Sequence, residues 1–97
     1  MNNLEELLNF DLLEDMIDPK QYLVGPGDSF LFNMLSADGL ININLLVNPT
    51  GEILIPAIGN IYVNNFSLDK TIKVIKEECL KKYPNSNVHI SLLNIRK

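Results

Sequence analysis

Two short segments rich in glycine and proline constrain this chain more than any other feature. One reads Tyr-Leu-Val-Gly-Pro-Gly-Asp over residues 22–28, and the other reads Gly-Glu-Ile-Leu-Ile-Pro-Ala-Ile-Gly over residues 51–59. Glycine permits positive φ and proline restricts φ to about −65°, so each segment joins a short apolar strand to a tight turn. Neither carries a nucleophile, a metal-ligand cluster or a phosphate-binding loop. The two segments therefore predict a structural and assembly module, not an enzyme.

The composition is typical of one small globular domain. The chain has 97 residues, of which 46% are hydrophobic and 21% are charged, and this balance argues against intrinsic disorder. No apolar run approaches the roughly 20 residues that a transmembrane helix needs. The single cysteine, Cys79, cannot form a disulfide within the chain.

Acidic residues are concentrated near the N-terminus. Residues 1–18 contain six acids and no base, whereas residues 19–97 contain six acids and eight bases. Apolar residues three and four positions apart predict an amphipathic helix over residues 3–17, which Asp18-Pro19 would end. We therefore divide the chain into an acidic N-terminal helix, residues 1–18, and a main domain, residues 19–97. Two alternatives stay open for this helix: it packs on its own domain, or it docks on a neighbouring subunit or partner protein.

Alternating apolar and polar residues predict strands in the middle of the chain. Residues 30–35 and residues 41–47 each alternate with a period of two, which is typical of a sheet with one buried face. Asn48-Pro49-Thr50-Gly51 has the residue preferences of a type I turn, so we expect a hairpin into residues 52–56. Pro56 has no backbone N–H, so it should either lie at a sheet edge or end that pairing.

A helix and a last strand follow. Ser67 is a good N-cap, and apolar residues at helical spacing predict a helix over about residues 67–83. Its core-facing stripe is Leu68, Ile72, Ile75 and Cys79. Residues 88–92 alternate again and predict a strand. This order of elements predicts an α+β fold: a small, mainly antiparallel β-sheet with one helix packed on it, plus the N-terminal amphipathic helix.

Side chains capable of acid–base chemistry are few and scattered. His89 lies between Val88 and Ile90 on a predicted strand, so it should face the opposite side, outward. We interpret Asp28 as a residue that holds the turn before it, and Cys79 as a small hydrophobic residue of the helix. One histidine and one cysteine do not suffice for a tetrahedral zinc site built from this chain alone. We therefore predict no catalytic residue, no cofactor and no metal.

Six residues of the two turn segments are predicted to hold loops in shape. They are Gly25, Pro26, Gly27, Asp28, Pro56 and Gly59. The glycine pair at the first turn is too short for a dinucleotide-binding fingerprint, and no helix follows it. Most lysines are spread along the predicted helix among acids, so we expect a solvated face and no nucleic-acid partner, with contact to an anionic polymer as the alternative.

The same segments resemble the bacterial polysaccharide biosynthesis/export domain. Residues 22–28 look like its opening Y-x-(I/V/L)-G-P-G-D pattern, and residues 52–59 look like its x-I-x-(I/L)-P-x-I-G segment. Residues 48–51 stand at its P-x-G-like turn, and residues 61–68 stand where the family runs x-V-x-V-x-G-(L/K)-T. The resemblance covers about residues 20–93, and four segments in the right order and spacing make it specific.

The resemblance implies a periplasmic module of an outer-membrane channel that exports capsular polysaccharide or exopolysaccharide. The implied partners are copies of the protein in a ring, an inner-membrane polysaccharide copolymerase or kinase, and the polysaccharide itself. The implied location is the periplasmic side of the outer membrane, with the leader and the membrane anchor expected outside this sequence. We expect the chain by itself to be a monomer or a weak dimer.

Two other classes of function are kept as alternatives. The first is a protein- or glycan-binding adaptor of the cell envelope that is not part of a channel. The second is a small hydrolase, which would need His89 and Asp28 in one cleft.

The chain also departs from the family pattern at Asn65 and Ser67, which replace a glycine and a threonine. Both replacements should preserve the local structure, because asparagine tolerates the left-handed region and serine caps helices well.

Overall fold

The computed structural model describes residues 17–94, in which two antiparallel sheets and one α-helix surround a shared core. The elements are β1 (Ser29–Ser36), β2 (Gly39–Leu46), β3 (Glu52–Ile55), β4 (Gly59–Tyr62), α1 (Leu68–Lys82) and β5 (Asn87–Asn94). This architecture confirms the predicted α+β class. The predicted N-terminal helix lies outside the described residues, except for its last residue, Ile17, which packs against the core.

The larger sheet has the strand order β2-β1-β5, with both pairs antiparallel. In β1, Phe30, Phe32 and Met34 are buried and alternate with residues that are partly or fully exposed. In β2, Leu45 is buried while its neighbour Leu46 is exposed. The alternation predicted for both strands is therefore confirmed, and it places one face of the sheet on the core.

The predicted hairpin between β2 and residues 52–56 is wrong. The turn at residues 48–51 forms, with the Gly51 N–H donating to the Asn48 carbonyl at 2.9 Å. Beyond it, however, β3 pairs with β4, and Ile53 lies opposite Ile61. The strands β3 and β4 make a separate two-stranded sheet, because the chain reverses again at Pro56, only one residue after β3 ends. Local turn preferences predicted the bend correctly but not which strand would be the partner of β3.

The helix α1 has 15 residues and begins as predicted. The side chain of Ser67 caps it by accepting the Lys70 N–H at 3.1 Å. Its buried residues are Leu68, Thr71, Ile75 and Cys79, while Ile72 is only half-buried. Among the described residues, no helix combines the length and the apolar character that crossing a bilayer requires.

Both sheets and the helix bury their apolar faces in one cluster. Ile53 and Ile55 of β3 are fully buried together with Phe30 and Phe32 of β1 and Ile75 of α1. A two-stranded sheet is marginal in water by itself. The small sheet therefore owes its stability to side chains from the larger sheet and the helix.

Candidate functional site

A buried carboxylate organises the loop immediately before β1. The side chain of Asp28 has no solvent exposure. Its Oδ1 accepts the Tyr22 hydroxyl at 2.7 Å, and its Oδ2 accepts the Gly25 N–H at 2.9 Å. The Asp28 N–H in turn donates to the Gly25 carbonyl at 3.1 Å. Because a buried carboxylate needs donors in place of water, these bonds hold the turn over residues 25–28 closed.

The Asp28 turn is also fastened to the chain that leaves β2. The Gly27 N–H donates to the Val47 carbonyl at 3.0 Å, and the Val47 N–H donates to the Asp28 carbonyl at 2.9 Å. Gly27 has φ of 94°, a conformation that residues with a side chain rarely adopt. Pro26 lies at the exposed tip of the turn, and Gly25 is buried beneath it.

The residues before the turn attach to the start of α1. The Val24 N–H donates to the Phe66 carbonyl and the Asn65 N–H donates to the Val24 carbonyl, both at 2.8 Å. The Leu68 N–H donates to the Tyr22 carbonyl at 2.9 Å. Asn65 has φ of 64°, as expected for an asparagine in a glycine-like position. Residues 22–28 therefore connect the large sheet to the N-terminus of the helix.

A second tight contact lies at Gly51. The sequence places this glycine in a turn but does not indicate that the residue packs closely against another part of the chain. Gly51 has φ of 83°, and its carbonyl accepts the Val63 N–H at 2.9 Å. A Cβ atom placed on Gly51 would lie only 2.3 Å from the Cβ of Asn64. The turn itself is held by the Asn48 side chain, which accepts the backbone N–H groups of Thr50 and Glu52, each at 3.0 Å.

The turn between β3 and β4 contains Pro56 and is followed directly by Gly59. The Ile58 N–H donates to the Ile55 carbonyl at 3.0 Å, and Gly59, the first residue of β4, pairs with Ile55. Ala57 has φ of 69°, so the turn has proline at its second position and positive φ at its third, as in type II turns. The Lys82 ammonium, at the end of α1, donates to the Ala57 carbonyl. The positive φ at Ala57 has no signal in the sequence, because alanine rarely adopts it.

The groups considered for catalysis do not meet. His89 is exposed on β5 as predicted, and it lies opposite Asn33 of β1. Asp28 precedes Asn33 by five residues, which corresponds to roughly 15 Å along an extended strand. Asp28 is also enclosed in its turn, so the structure does not bring together the pair of side chains that the hydrolase alternative requires.

The remaining thiol and the acidic groups form no ligand cluster in the part of the chain that the structure describes. Burial raises the pKa of the Cys79 thiol, and the charge of neighbouring Glu78 raises it further. Residues 17–94 contain no group of three or more His, Cys, Asp and Glu side chains placed to hold a metal ion.

A family model described as polysaccharide biosynthesis/export protein matches residues 17–93. The match includes the Asp28 turn, the Gly51 turn, the helix and all of β5 except its last residue. No curated protein matches the chain.

Proposed function

Because this chain belongs to the polysaccharide biosynthesis/export protein family, we propose that it is a structural module of an outer-membrane channel for capsular polysaccharide or exopolysaccharide. Family membership gives the chain a role in polysaccharide export, within the export machinery of the cell envelope. The observation that carries the proposal is the extent of the match, which spans nearly the whole described module.

The proposed mechanism is geometric, and it assigns the turn residues an architectural role. The buried carboxylate of Asp28 holds the segment whose backbone bonds join the large sheet to the helix, and the close contact at Gly51 packs the turn before β3 against residues 63–64, which follow β4. A module with its loops fastened in this way presents the same surface in every copy. Such a surface suits the periplasmic mouth of a conduit, where identical subunits must meet at a fixed angle.

The proposed partners follow from the same role. Copies of the protein form a ring around the polysaccharide, and an inner-membrane copolymerase or kinase delivers the polymer to it. The location is the periplasmic side of the outer membrane. The module itself performs no covalent chemistry in this proposal.

The test of the export role is made in cells that secrete a polysaccharide through this system. Deleting the gene is expected to remove polymer from the cell surface and to leave it within the cell envelope, because its exit is missing. Surface polymer and retained polymer are measured separately, and the reintroduced gene serves as the control. Unchanged surface polymer in the deletion strain would contradict the proposal.

Two further measurements separate the channel from the alternatives. Cross-linking of the protein in outer-membrane fractions is expected to give a ladder that ends at a closed ring. A protein that stays outside the membrane fraction, attached to one envelope partner, would favour the adaptor instead.

Purified chain incubated with nucleotide sugars or polysaccharide should leave them unchanged. Turnover that disappears in His89→Ala would contradict a purely structural role.

A further inference from the structure

The strand β2 forms a free edge of the larger sheet. It pairs with β1 on one side only. Val47, the residue directly after β2, directs both its N–H and its carbonyl toward the β1 side, where they bond with Asp28 and Gly27. Because these directions alternate along an antiparallel strand, the backbone groups of residues 40, 42, 44 and 46 point to the opposite side. Within the described part of the chain, those groups form no hydrogen bond on that side.

Apolar side chains accompany this edge. Leu40 is 65% exposed and Leu46 is 62% exposed, although both lie in a regular strand. An open groove of about 680 Å³ runs beside the second half of β2. The groove is lined by four consecutive residues of β2, Ile43–Leu46, and by Asn48, residues 54–59 and Lys82. Successive residues point to opposite faces of a strand, so a groove that contacts all four lies along its edge.

The residues of β2 themselves lack the features that usually prevent strands from pairing between molecules. Gly39–Leu46 contains no lysine, no other charged residue and no proline, and its register with β1 is unbroken. At the other edge of this sheet, the register between β5 and β1 shifts between Ser29 and Phe30. Irregularities of that kind discourage further pairing, whereas a regular, uncharged edge invites it.

The sequence of β2 reads nearly the same in both directions about Ile43. Centred on Ile43, an antiparallel pair of β2 strands places Leu40 opposite Leu46 and Asn42 opposite Asn44. These are the residues whose backbone groups point away from β1, so each pair can exchange two backbone hydrogen bonds. Leucine meets leucine and asparagine meets asparagine, with no like charges opposed.

We propose that the edge of β2 is a docking surface for the β2 strand of a second copy of this chain, paired antiparallel about Ile43. The contact continues the sheet across two molecules, in the strand order β5-β1-β2-β2-β1-β5. The groove beside Ile43–Leu46 provides space for the first half of the partner strand. A two-fold contact closes after two copies, so it is separate from any ring and does not rest on the channel proposal.

The test compares variants of the full 97-residue chain by sedimentation equilibrium. Wild type should show a reversible dimer, with a dissociation constant between about 10 μM and about 1 mM, because one strand pair is a small interface. The double variant N42K/N44K places lysines opposite each other and should weaken the dimer at least tenfold. Its net charge is closer to zero than that of wild type, so general repulsion cannot explain the loss.

A second double variant, N42K/N44E, tests the register. The lysine introduced at position 42 of each copy then faces the glutamate introduced at position 44 of the other. This dimer should be at least as tight as wild type and should weaken with added salt. The matched control N60K/N85K adds two lysines at exposed positions outside β2 and should dimerise like wild type. Circular dichroism checks that each variant is folded.

Amide exchange supplies an independent readout in wild type. Exchange at Asn42 and Asn44 should slow as concentration rises, whereas exchange at Ile43, whose N–H faces β1, should not change. A wild-type chain that stays monomeric at about 1 mM would overturn the proposal. So would a dimer that N42K/N44K leaves intact, or an N42K/N44E variant that dissociates as N42K/N44K does.

Discussion

At the scale of single residues, the fold depends on a carboxylate that solvent does not reach. Asp28 is fully buried, and its two oxygens accept bonds from Tyr22 and Gly25. Hydrogen bonds to an ionised acceptor are stronger than bonds between neutral groups. Removing the acceptor also leaves a buried backbone N–H without its partner, which costs more than the bond itself is worth.

We therefore predict that Asp28→Ala lowers the free energy of unfolding by about 2–3 kcal/mol. Tyr22→Phe removes only the hydroxyl donor and should cost about 1 kcal/mol. The double variant should lose less than the sum of the two, because the variants remove the same bond. Urea unfolding followed by circular dichroism measures all three. An Asp28→Ala variant with an unchanged midpoint would show that this carboxylate does not hold the turn.

A second prediction concerns the contact between Gly51 and Asn64. Gly51→Ala adds the strain of a positive φ to a clash at 2.3 Å with the Cβ of Asn64, so it should cost about 3 kcal/mol or more. Gly39→Ala is the matched control, since Gly39 also has positive φ but no atom within 4 Å of the added Cβ. It should cost about 1–2 kcal/mol. Thermal melting distinguishes the two, and equal losses would mean that Asn64 moves aside freely.

At the scale of elements, local patterns predicted what depends on near neighbours. The alternation of Phe30, Phe32 and Met34 in β1 and the Ser67 cap of α1 are both confirmed. The prediction is wrong for the partner of β3, because the residues at 48–51 favour a hairpin turn whereas β3 pairs with β4. Turn preferences are set by the residues in the turn, whereas strand pairing depends on which apolar face completes the core.

The helix offers a prediction about its only thiol. Cys79 lies on the buried face of α1, and burial, followed by the Glu78 charge, raises its pKa above the usual value for a thiol. The thiolate is the reactive form, so alkylation by iodoacetamide at pH 8 should be at least ~100-fold slower in the native chain than in urea. Glu78→Gln should increase the native rate only slightly, because burial is the larger cause.

The same pKa shift has a consequence for stability. A raised pKa in the folded state means that folding favours the protonated thiol. The stabilisation that the Cys79 thiol contributes is fully present below the pKa of this thiol in the unfolded chain. It is lost as the pH rises through the pKa of the thiol in the folded chain. Native alkylation as fast as that of the unfolded chain would show that α1 opens readily and that Cys79 is not protected.

At the scale of the whole molecule, contacts between distant positions join the elements. Val24 bonds to Phe66, Gly51 meets Asn64, and Lys82 bonds to the carbonyl of Ala57. The turn residues in these contacts are recognisable in the sequence, but their partners are not, because no local pattern encodes a pairing across a dozen residues or more. The candidate site was therefore predicted as a set of turns, and the structure adds how those turns connect the two sheets.

These connections predict that the two sheets unfold as one unit. Ile53 of β3 is fully buried in the same cluster as Phe32 of β1, and the β3–β4 sheet has too few strands to be stable alone. Ile53→Ala should lower the free energy of unfolding by about 3 kcal/mol. It should do so equally for amides in β1 and amides in β3, since neither sheet keeps its core without the other.

Native-state hydrogen exchange measures this residue by residue. Leu54→Ala is the matched control, because Leu54 is the next residue on the same strand and is 65% exposed, so the change should be small in both sheets. Suppose instead that Ile53→Ala weakens protection in β3 and β4 but leaves β1 as stable as before. The small sheet would then be a separate unit that opens independently, and the fixed geometry required of a channel subunit would not extend to residues 52–62.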